Sequence, residues 1–435
     1  MKSIEYIFWF KLSTCHAEIL TLPFKADQEH YPISRSVNNN KATRAILYYF
    51  IIEYLVNTTN ILLHIMMDLY LMLIWIILVW SGFHGRIASC MYIPNLLHQP
   101  NTDFNILIAG GNYFNDTWFS ELADVEFVNP LLEKSVCENP IDLPHKLDGP
   151  VSGIIDEKPV ICGGLKTQIS DENGFEQTIE SGCYQGSNDE WSSYHSLKCP
   201  RWGASSLMLD QDTMWTFGGN TNTESSDECK DVAKSSEVYK PYSGKFELGV
   251  TLPEPMVYSC SVKIDENRVF IVNGYDQNYD GFSRSYIVDT SKKPFSFHQL
   301  PHLEKVRSQA ACGIISYHSA QKSENDVAII VAGGGYGNSS KTTEIYRLSN
   351  DLHEGGTWET GPSLPRGFSN GCHVSSHVND LLLIGGFDES GDVRSDIITY
   401  NKESEEFELS SVQLKTPRYG CTAIKIPNTG ECVKT

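Results

Sequence analysis

Arg201, Arg307, Arg366 and Arg418 are the residues whose type and placement best suit recognition chemistry in this chain. Three of them sit in similar turns: CPRWGA from Cys199, LPRGFS from Leu364 and TPRYGC from Thr416. A guanidinium makes paired hydrogen bonds to a carboxylate, and nearby aromatic rings add rigid contact area. Asn112, Tyr113, Asn220, Tyr275, Asp276, Tyr336, Phe387 and Asp388 lie where they could share a surface with those arginines. Together they would form a face for a peptide or a carboxylate-bearing partner. The competing reading is that the arginines cap turns or pair with local Asp and Glu. Catalytic chemistry finds less footing. No GxSxG, HExxH or P-loop occurs. His298, His302, His318, His353, His373 and His377 are scattered, and with no CxxC the Cys/His spacing fits no zinc template. No metal or cofactor is expected.

A short apolar run ending on glycine precedes each set of loop residues. The runs close at Gly110-Gly111, Gly163-Gly164, Gly218-Gly219, Gly274 (after Asn273), Gly333-Gly334 and Gly385-Gly386. Successive final glycines are 53, 55, 55, 60 and 52 residues apart (164−111, 219−164, 274−219, 334−274, 386−334). A strand-only repeat of this length predicts a β-propeller. After each loop comes a second strand marked by Val128, Tyr184, Tyr239, Val288, Tyr346 or Tyr400. An aromatic follows seven residues on (Trp191, Phe246, Phe295, Phe407) or twelve on (Trp358), and then a strand of small residues. A glycine lets the backbone approach a neighbour closely as it leaves the sheet, and a large ring fills the widening outer wedge between blades. Tyr184, Tyr239, Tyr346, Tyr400, Trp191 and Trp358 are therefore read as structural.

This pattern resembles the kelch repeat over roughly residues 105–428. The resemblance implies an all-β, six-bladed propeller with four antiparallel strands in each blade. The small-residue segment TPRYGCTAIKI, Thr416 to Ile426, follows the last blade, while the stretch before Gly110 has no convincing counterpart. The C-terminal strand should therefore complete the first blade and remove an exposed sheet edge.

Residues 1–65 carry no repeat and are read as an N-terminal extension upstream of a translation start at Met66 or Met67. The apolar run Leu69 to Trp80 is short for a membrane span but suits a signal-peptide core, with Val79 and Ser81 placed for cleavage before Gly82. Residues 66–81 are thus a signal peptide, or alternatively part of an anchor from about Ile61. Residues 82–104 are a linker and 429–435 a tail. Membrane contact is expected only through that segment if it stays uncleaved.

The six Lys/Arg and six Asp/Glu up to Gly85 cancel, so the formal net charge of −20 lies beyond it. An acidic body of this kind excludes nucleic acid as a partner. Twelve cysteines point to an oxidising compartment. Cys162 and Cys183 fall on neighbouring strands of one blade and should form a disulfide; Cys137 and Cys199, at equivalent turns, are a second candidate pair. Cys260, Cys312, Cys372 and Cys421 fall on inner strands and are read as buried thiols. Sequons at Asn115 and Asn338 lie in loops, where a secreted chain would carry glycans, and Asn57 lies upstream.

The functional expectation is a secreted, non-catalytic module that presents propeller loops to a protein or peptide. A structural or matrix role and a membrane-anchored ectodomain are the alternatives. Copper oxidases and sialidases also use propellers. The string Ser349 to Trp358, however, is two residues longer than the S-x-D-x-G-x-T-W box, and no Tyr/His/Cys ligand set is evident. An intracellular kelch adaptor would need an upstream BTB domain, for which residues 1–104 leave no room.

Overall fold

The computed structural model describes residues 104–427, apart from 116–117, 130–133, 136–139, 171–173, 188–189, 222–226, 277, 279, 317–326, 336, 349–355 and 376–377. The N-terminal extension, the signal or anchor segment, Asn57, Cys137, Tyr336 and the tail lie outside the described residues. Among the described residues no helix is long and apolar enough to cross a membrane.

Six four-stranded antiparallel sheets form the blades. Blade 1 runs from the axis outward as Thr422–Pro427, Phe104–Ala109, Val125–Asn129 and Lys134–Ser135. Its innermost strand comes from the C-terminal end of the fold, paired from Phe104↔Pro427 to Ala109↔Thr422. Blade 2 is Val151–Ile155, Lys158–Cys162, Cys183–Gly186 and Trp191–Tyr194; blade 3 is Ser205–Met208, Met214–Phe217, Ser236–Lys240 and Lys245–Leu248. Blade 4 is Cys260–Lys263, Arg268–Val272, Ser285–Asp289 and Ser296–Gln299. Blade 5 is Ala311–Ser316, Val327–Ala332, Thr343–Arg347 and Trp358–Thr360; blade 6 is Cys372–Val374, Leu382–Ile384, Asp396–Asn401 and Glu406–Gln413. Two extra hairpins, Asn112–Asn115 with Trp118–Glu121 and Leu165–Ser170 with Gly174–Ile179, rise from the connections that follow the glycine pairs of blades 1 and 2.

The strand interiors are apolar on both faces because each blade is sandwiched between two others. Accordingly, the core is a ring of wedges. One, between blades 4 and 5, contains Val262, Phe270, Ile287, Ile329, Tyr346 and Trp358; another, between blades 1 and 2, contains Leu107, Phe127, Ile161 and Trp191. The outer aromatics sit where the wedge is widest, and their indole N–H groups find partners there. Trp191 Nε1 donates to Ile141 O and Trp358 Nε1 to Pro301 O, at 3.0 and 2.9 Å. Tyr239 faces Phe246, Tyr346 faces Trp358 and Tyr400 faces Phe407 across neighbouring strands. Tyr184 instead lies opposite Ser193, and Trp191 opposite Gly186. In blade 4 the seven-residue spacing misses. Phe297, not Phe295, lies opposite Val288, and Phe295 packs edge-on against Trp215 of blade 3.

The glycine pairs are needed for clearance. At Gly218, in a left-handed conformation at φ 66°, a Cβ would collide with the carbonyl oxygen of Met256 on the next blade. Gly274 keeps a negative φ, yet its Cβ would meet the backbone oxygens of Val257 and Tyr258, so this copy too needs glycine.

The joints between inner strands use different chemistry. Ser152 and Thr422 hydroxyls join blades 1 and 2 at 2.7 Å, and Ser205 and Ser261 join blades 3 and 4 at 3.0 Å. Two further joints are covalent: Cys260–Cys312 between blades 4 and 5, and Cys372–Cys421 between blades 6 and 1. The reading of these four cysteines as buried thiols is therefore wrong. Inner strands of adjacent blades converge on the axis, bringing their Cα atoms to 5.9 and 5.2 Å, within bridging range. Cys162 and Cys183 face each other on neighbouring strands of blade 2 and are bonded. Cys199 pairs with Cys229 in a short 3₁₀ segment, Asp227–Cys229, and not with Cys137. Four disulfides among the described residues are the mark of a protein formed in an oxidising environment.

Candidate functional site

The four arginines are buried, and their guanidinium groups are consumed inside the blades. Arg201 pairs with Glu237 at 2.6 Å and donates to Gly218 O and Ser235 Oγ. Arg307 pairs with Glu344 at 2.7 Å and donates to the carbonyls of Gly333 and Thr342. Arg366 pairs with Asp396 and donates to Gly385 O and Gly367 O. Arg418 pairs with Glu126 at 2.5 Å and donates to Gly110 O and Asp124 O. The same carboxylates bind the turns that carry the arginines. Glu237 accepts from the amides of Lys198 and Cys199, Glu344 from those of Glu304 and Lys305, and Glu126 from those of Lys415 and Thr416. Each assembly pins the turn before an inner strand to the third strand and glycine pair of the same blade. The expectation of an arginine-lined recognition face is corrected on this point, because all four guanidiniums are buried within their blades and face internal partners; even Arg201 Nε, which has no partner, is enclosed. Blade 4 reverses the charges: Glu254 lies in the turn, and Arg284 and the Tyr286 hydroxyl bind it.

The loop acids are also committed. Asp276 Oδ1 accepts from the amides of Asn278 and Asp280, and Asp388 Oδ1 from those of Ser390 and Asp392, which closes two similar loops. Tyr113 and Tyr275 are half-buried on the loop face, in blades 1 and 4. Tyr275 lies near Tyr258, which in turn meets Trp202 edge-on at 5.5 Å. The structure thus brings Tyr275 into a line of aromatics that the sequence reading did not include. Asn115 begins the turn of the first extra hairpin, and Asn338 lies in the short 3₁₀ segment Gly337–Lys341.

What the loop face does offer is a rim around the axis. Gly149, Gly203, Tyr258, Gln309, Asn370 and Gly420 occupy equivalent positions ahead of the six inner strands, all left-handed with φ between 52° and 63°. Their backbones form a chain of hydrogen bonds. Asn370 N donates to Gln309 O, Gly420 N to Asn370 O, Gly149 N to Gly420 O, Gly203 N to Gly149 O and Tyr258 N to Gly203 O. The residues just before these are Asp148, Trp202, Val257, Ser308, Ser369 and Tyr419, and Asp148 is the single acid in that set.

Asp148 is 5% exposed. Its Oδ2 accepts from the indole Nε1 of Trp202 at 3.2 Å, while Oδ1 is buried with no donor in good hydrogen-bond geometry, the Gly149 amide and Asn112 side chain acting on the carboxyl more weakly than Trp202. Oδ1 lies directly over Gly420, where any Cβ would overlap it. Burial pushes its carboxyl from the ordinary 3.8 up to about 7, with Glu121 adding repulsion and Trp202, Gly149 and Asn112 partly opposing the rise. Burial likewise pushes the Tyr419 hydroxyl up, reinforced by Asp148 and Glu121. Tyr419 stacks on Phe387 at 4.4 Å.

The two extra hairpins grow out of this part of the rim. Asn112 is bridged to Tyr419 and Leu165 to Asp148. Glu121 at the end of one hairpin accepts from the amide and hydroxyl of Thr167 on the other, at 2.7 and 2.5 Å, which ties the pair together. An acid-and-aromatic corner, walled by two linked hairpins, therefore stands over blades 1 and 2. Sequence reasoning missed Asp148, Glu121 and Trp202. The signal was present in the rim tetrapeptides LDGP, RWGA, MVYS, RSQA, FSNG and RYGC, which align once the left-handed residue is placed third.

On the channel side, His373 Nε2 lies 3.2 Å from Cys260 Sγ. Burial pulls its imidazole down to about 4, so it is neutral near pH 7. Its nitrogen and the two sulfurs of Cys260–Cys312 lie within 4.8 Å of one another, but those sulfurs are spent on their mutual bond.

Fold and repeat together define a six-bladed β-propeller closed by its C-terminal strand, whose repeat resembles that of kelch propellers. Among solved structures, that of YjhT is similar, with a TM-score of 0.50 and 13% identity over 70% of this chain and 97% of that one. The likeness is one of fold. No family model matches the sequence, and no curated protein does.

Proposed function

We propose that the protein is a secreted, non-catalytic binding module that holds a protein or peptide partner on the loop face, at the corner formed by Asp148, Trp202, Tyr419 and the two hairpins. The observation that carries this reading is Asp148 Oδ1, a buried polar atom without a partner on the loop-face rim, beside the half-buried Trp202. Such an atom is expensive to maintain unless something binds it. Aromatic residues flanking it are the residue types that anchor interfaces. The disulfides and the acidic surface agree with extracellular residence.

Panning a phage-displayed peptide library against the oxidised protein tests the site. Enriched peptides should lose binding to Trp202→Ala and keep it for Arg268→Ala on the opposite face. Equal binding to both variants, or no enrichment, would refute the proposal. Secretion is tested separately by N-terminal sequencing of protein expressed in a eukaryotic host. Recovery from the medium with a start near Gly82 is the expected outcome, and retention in the cell with residues 1–80 attached would overturn it.

A further inference from the structure

The same corner carries a statement about the chemistry of its ligand. Asp148 is the one acid in its set of six rim positions, and one of its two oxygens is buried without a donor. The charged group acting on it is Glu121, which is acidic and already holds Thr167; the other ionisable neighbour is the neutral Tyr419 hydroxyl. Among the described residues no lysine or arginine supplies a counter-charge there. Other buried carboxylates are treated differently. Glu126, Glu237, Glu344 and Asp396, on the third strands of their blades, each have an arginine and Glu254 has Arg284, whereas Asp148, in the turn before the inner strand of blade 2, has none.

We propose, building on the reading of this corner as the binding site, that Asp148 is the recognition point for a cationic head group presented by the partner, a guanidinium or an ammonium. Three features select that class. An unpaired buried carboxylate gains most from a group that brings both a positive charge and N–H donors. Trp202, half-buried with its N–H edge on the carboxylate, supplies an aromatic ring close by to which a cation is attracted. The two adjoining positions, Gly149 and Gly420, carry no side chains, and the space a Cβ would take is filled by the Trp202 ring and by Asp148 Oδ1, which sets both groups directly against the rim backbone. A body with a formal net charge of −20 also steers cations toward itself. Because the carboxyl ionises only near neutrality, the ligand should be held at neutral and alkaline pH and released on acidification.

Calorimetric titration of the full disulfide-bonded chain with N-acetyl-argininamide tests this, with N-acetyl-citrullinamide as the uncharged isostere. At pH 8 the arginine probe should bind one site at least ~10-fold more tightly than the citrulline probe. Its affinity should fall about tenfold per pH unit below 7, to roughly 100-fold weaker at pH 5. Asp148→Asn keeps an oxygen for the Trp202 indole, so it should stay folded while losing both the preference and the pH dependence. Equal binding of the two probes, a flat pH profile, or a preference that survives in a folded Asp148→Asn variant would overturn the inference. Enriched peptides that lack basic residues yet depend on Trp202 would defeat this inference and leave the binding-module reading standing. No binding of any peptide or probe would defeat both.

Discussion

The arginine assembly at the ring closure gives a quantitative prediction. Arg418 and Glu126 are 292 residues apart in sequence, yet both are buried and paired. Replacing either alone, as Arg418→Met or Glu126→Leu, strands a buried charge and should cost about 3–5 kcal/mol. For an ordinary buried ion pair, the double apolar replacement restores most of that loss. Here it should not. Arg418 also serves the carbonyls of Gly110 and Asp124, and Glu126 also serves the amides of Lys415 and Thr416. The double variant removes partners from four backbone groups, each worth about 1 kcal/mol when satisfied and more when left buried and unmet. It should therefore remain about 3 kcal/mol or more below wild type. Equilibrium unfolding in urea, followed by tryptophan fluorescence under non-reducing conditions, measures all three variants. Hydrogen exchange should locate the damage at Phe104–Ala109 and Thr422–Pro427. A double variant within about 1 kcal/mol of wild type would refute the argument that the pair acts mainly as a backbone clamp.

Other perturbations separate the remaining features. The raised pKa of Asp148 means that the fold favours its protonated form, a contribution present in full below pH 4 and lost as pH climbs through 7. Asp148→Asn, which cannot ionise, should match wild type near pH 4 and gain on it with rising pH, by about 4 kcal/mol at pH 8; thermal melts across that range would show a constant offset if the reasoning fails. His373 is held neutral with its pKa lowered to about 4, so stability from this group is present above pH 6.5 and is lost as pH falls through 4. His373→Gln should blunt acid unfolding in that window, and an unchanged acid midpoint would count against it. Removing Cys372–Cys421 by a double serine substitution opens a loop with a sequence separation of 49, a loss of about 4 kcal/mol by chain entropy, readable in urea. Gly420→Ala combines a left-handed backbone with overlap onto Asp148, and should destabilise by about 1–3 kcal/mol while abolishing any rim binding.

Fold was legible in the sequence because clearance between blades is a geometric demand that few residues meet. Glycine pairs had to recur wherever one blade passes the backbone of the next, as at Gly218 against Met256, and their period is the period of the ring. The closing strand was legible for the same reason, since TPRYGCTAIKI repeats a pattern whose other copies precede glycine pairs. The role of the arginines was not. Arg418 finds Glu126 at the far end of the sequence, and Arg201 finds Glu237 across two strands. A local reading sees an arginine in a turn and cannot see its partner. A repeat-wide alignment would have shown Glu126, Glu237 and Glu344 two residues before the marker positions Val128, Tyr239 and Tyr346. The inter-blade disulfides escaped for a related cause. Their cysteines sit 52 and 49 residues apart, close to one repeat, which is the separation of neighbours around a ring rather than along a strand.

The placement of Cys372–Cys421 also bears on how the ring yields to mechanical load. Phe104 and Pro427 lie opposite one another, so tension on chain attached beyond them would open the seam of blade 1 like a zipper, one residue pair at a time. That opening starts at Pro427 and travels toward Thr422, where the next residue is the bonded Cys421. The crack can run through the six pairs of the ladder and no further, because the force then passes through the sulfur bridge into blade 6. A tethered propeller of this design would part at its seam, while the bridge keeps the released strand on blade 6 and shields that blade from unravelling.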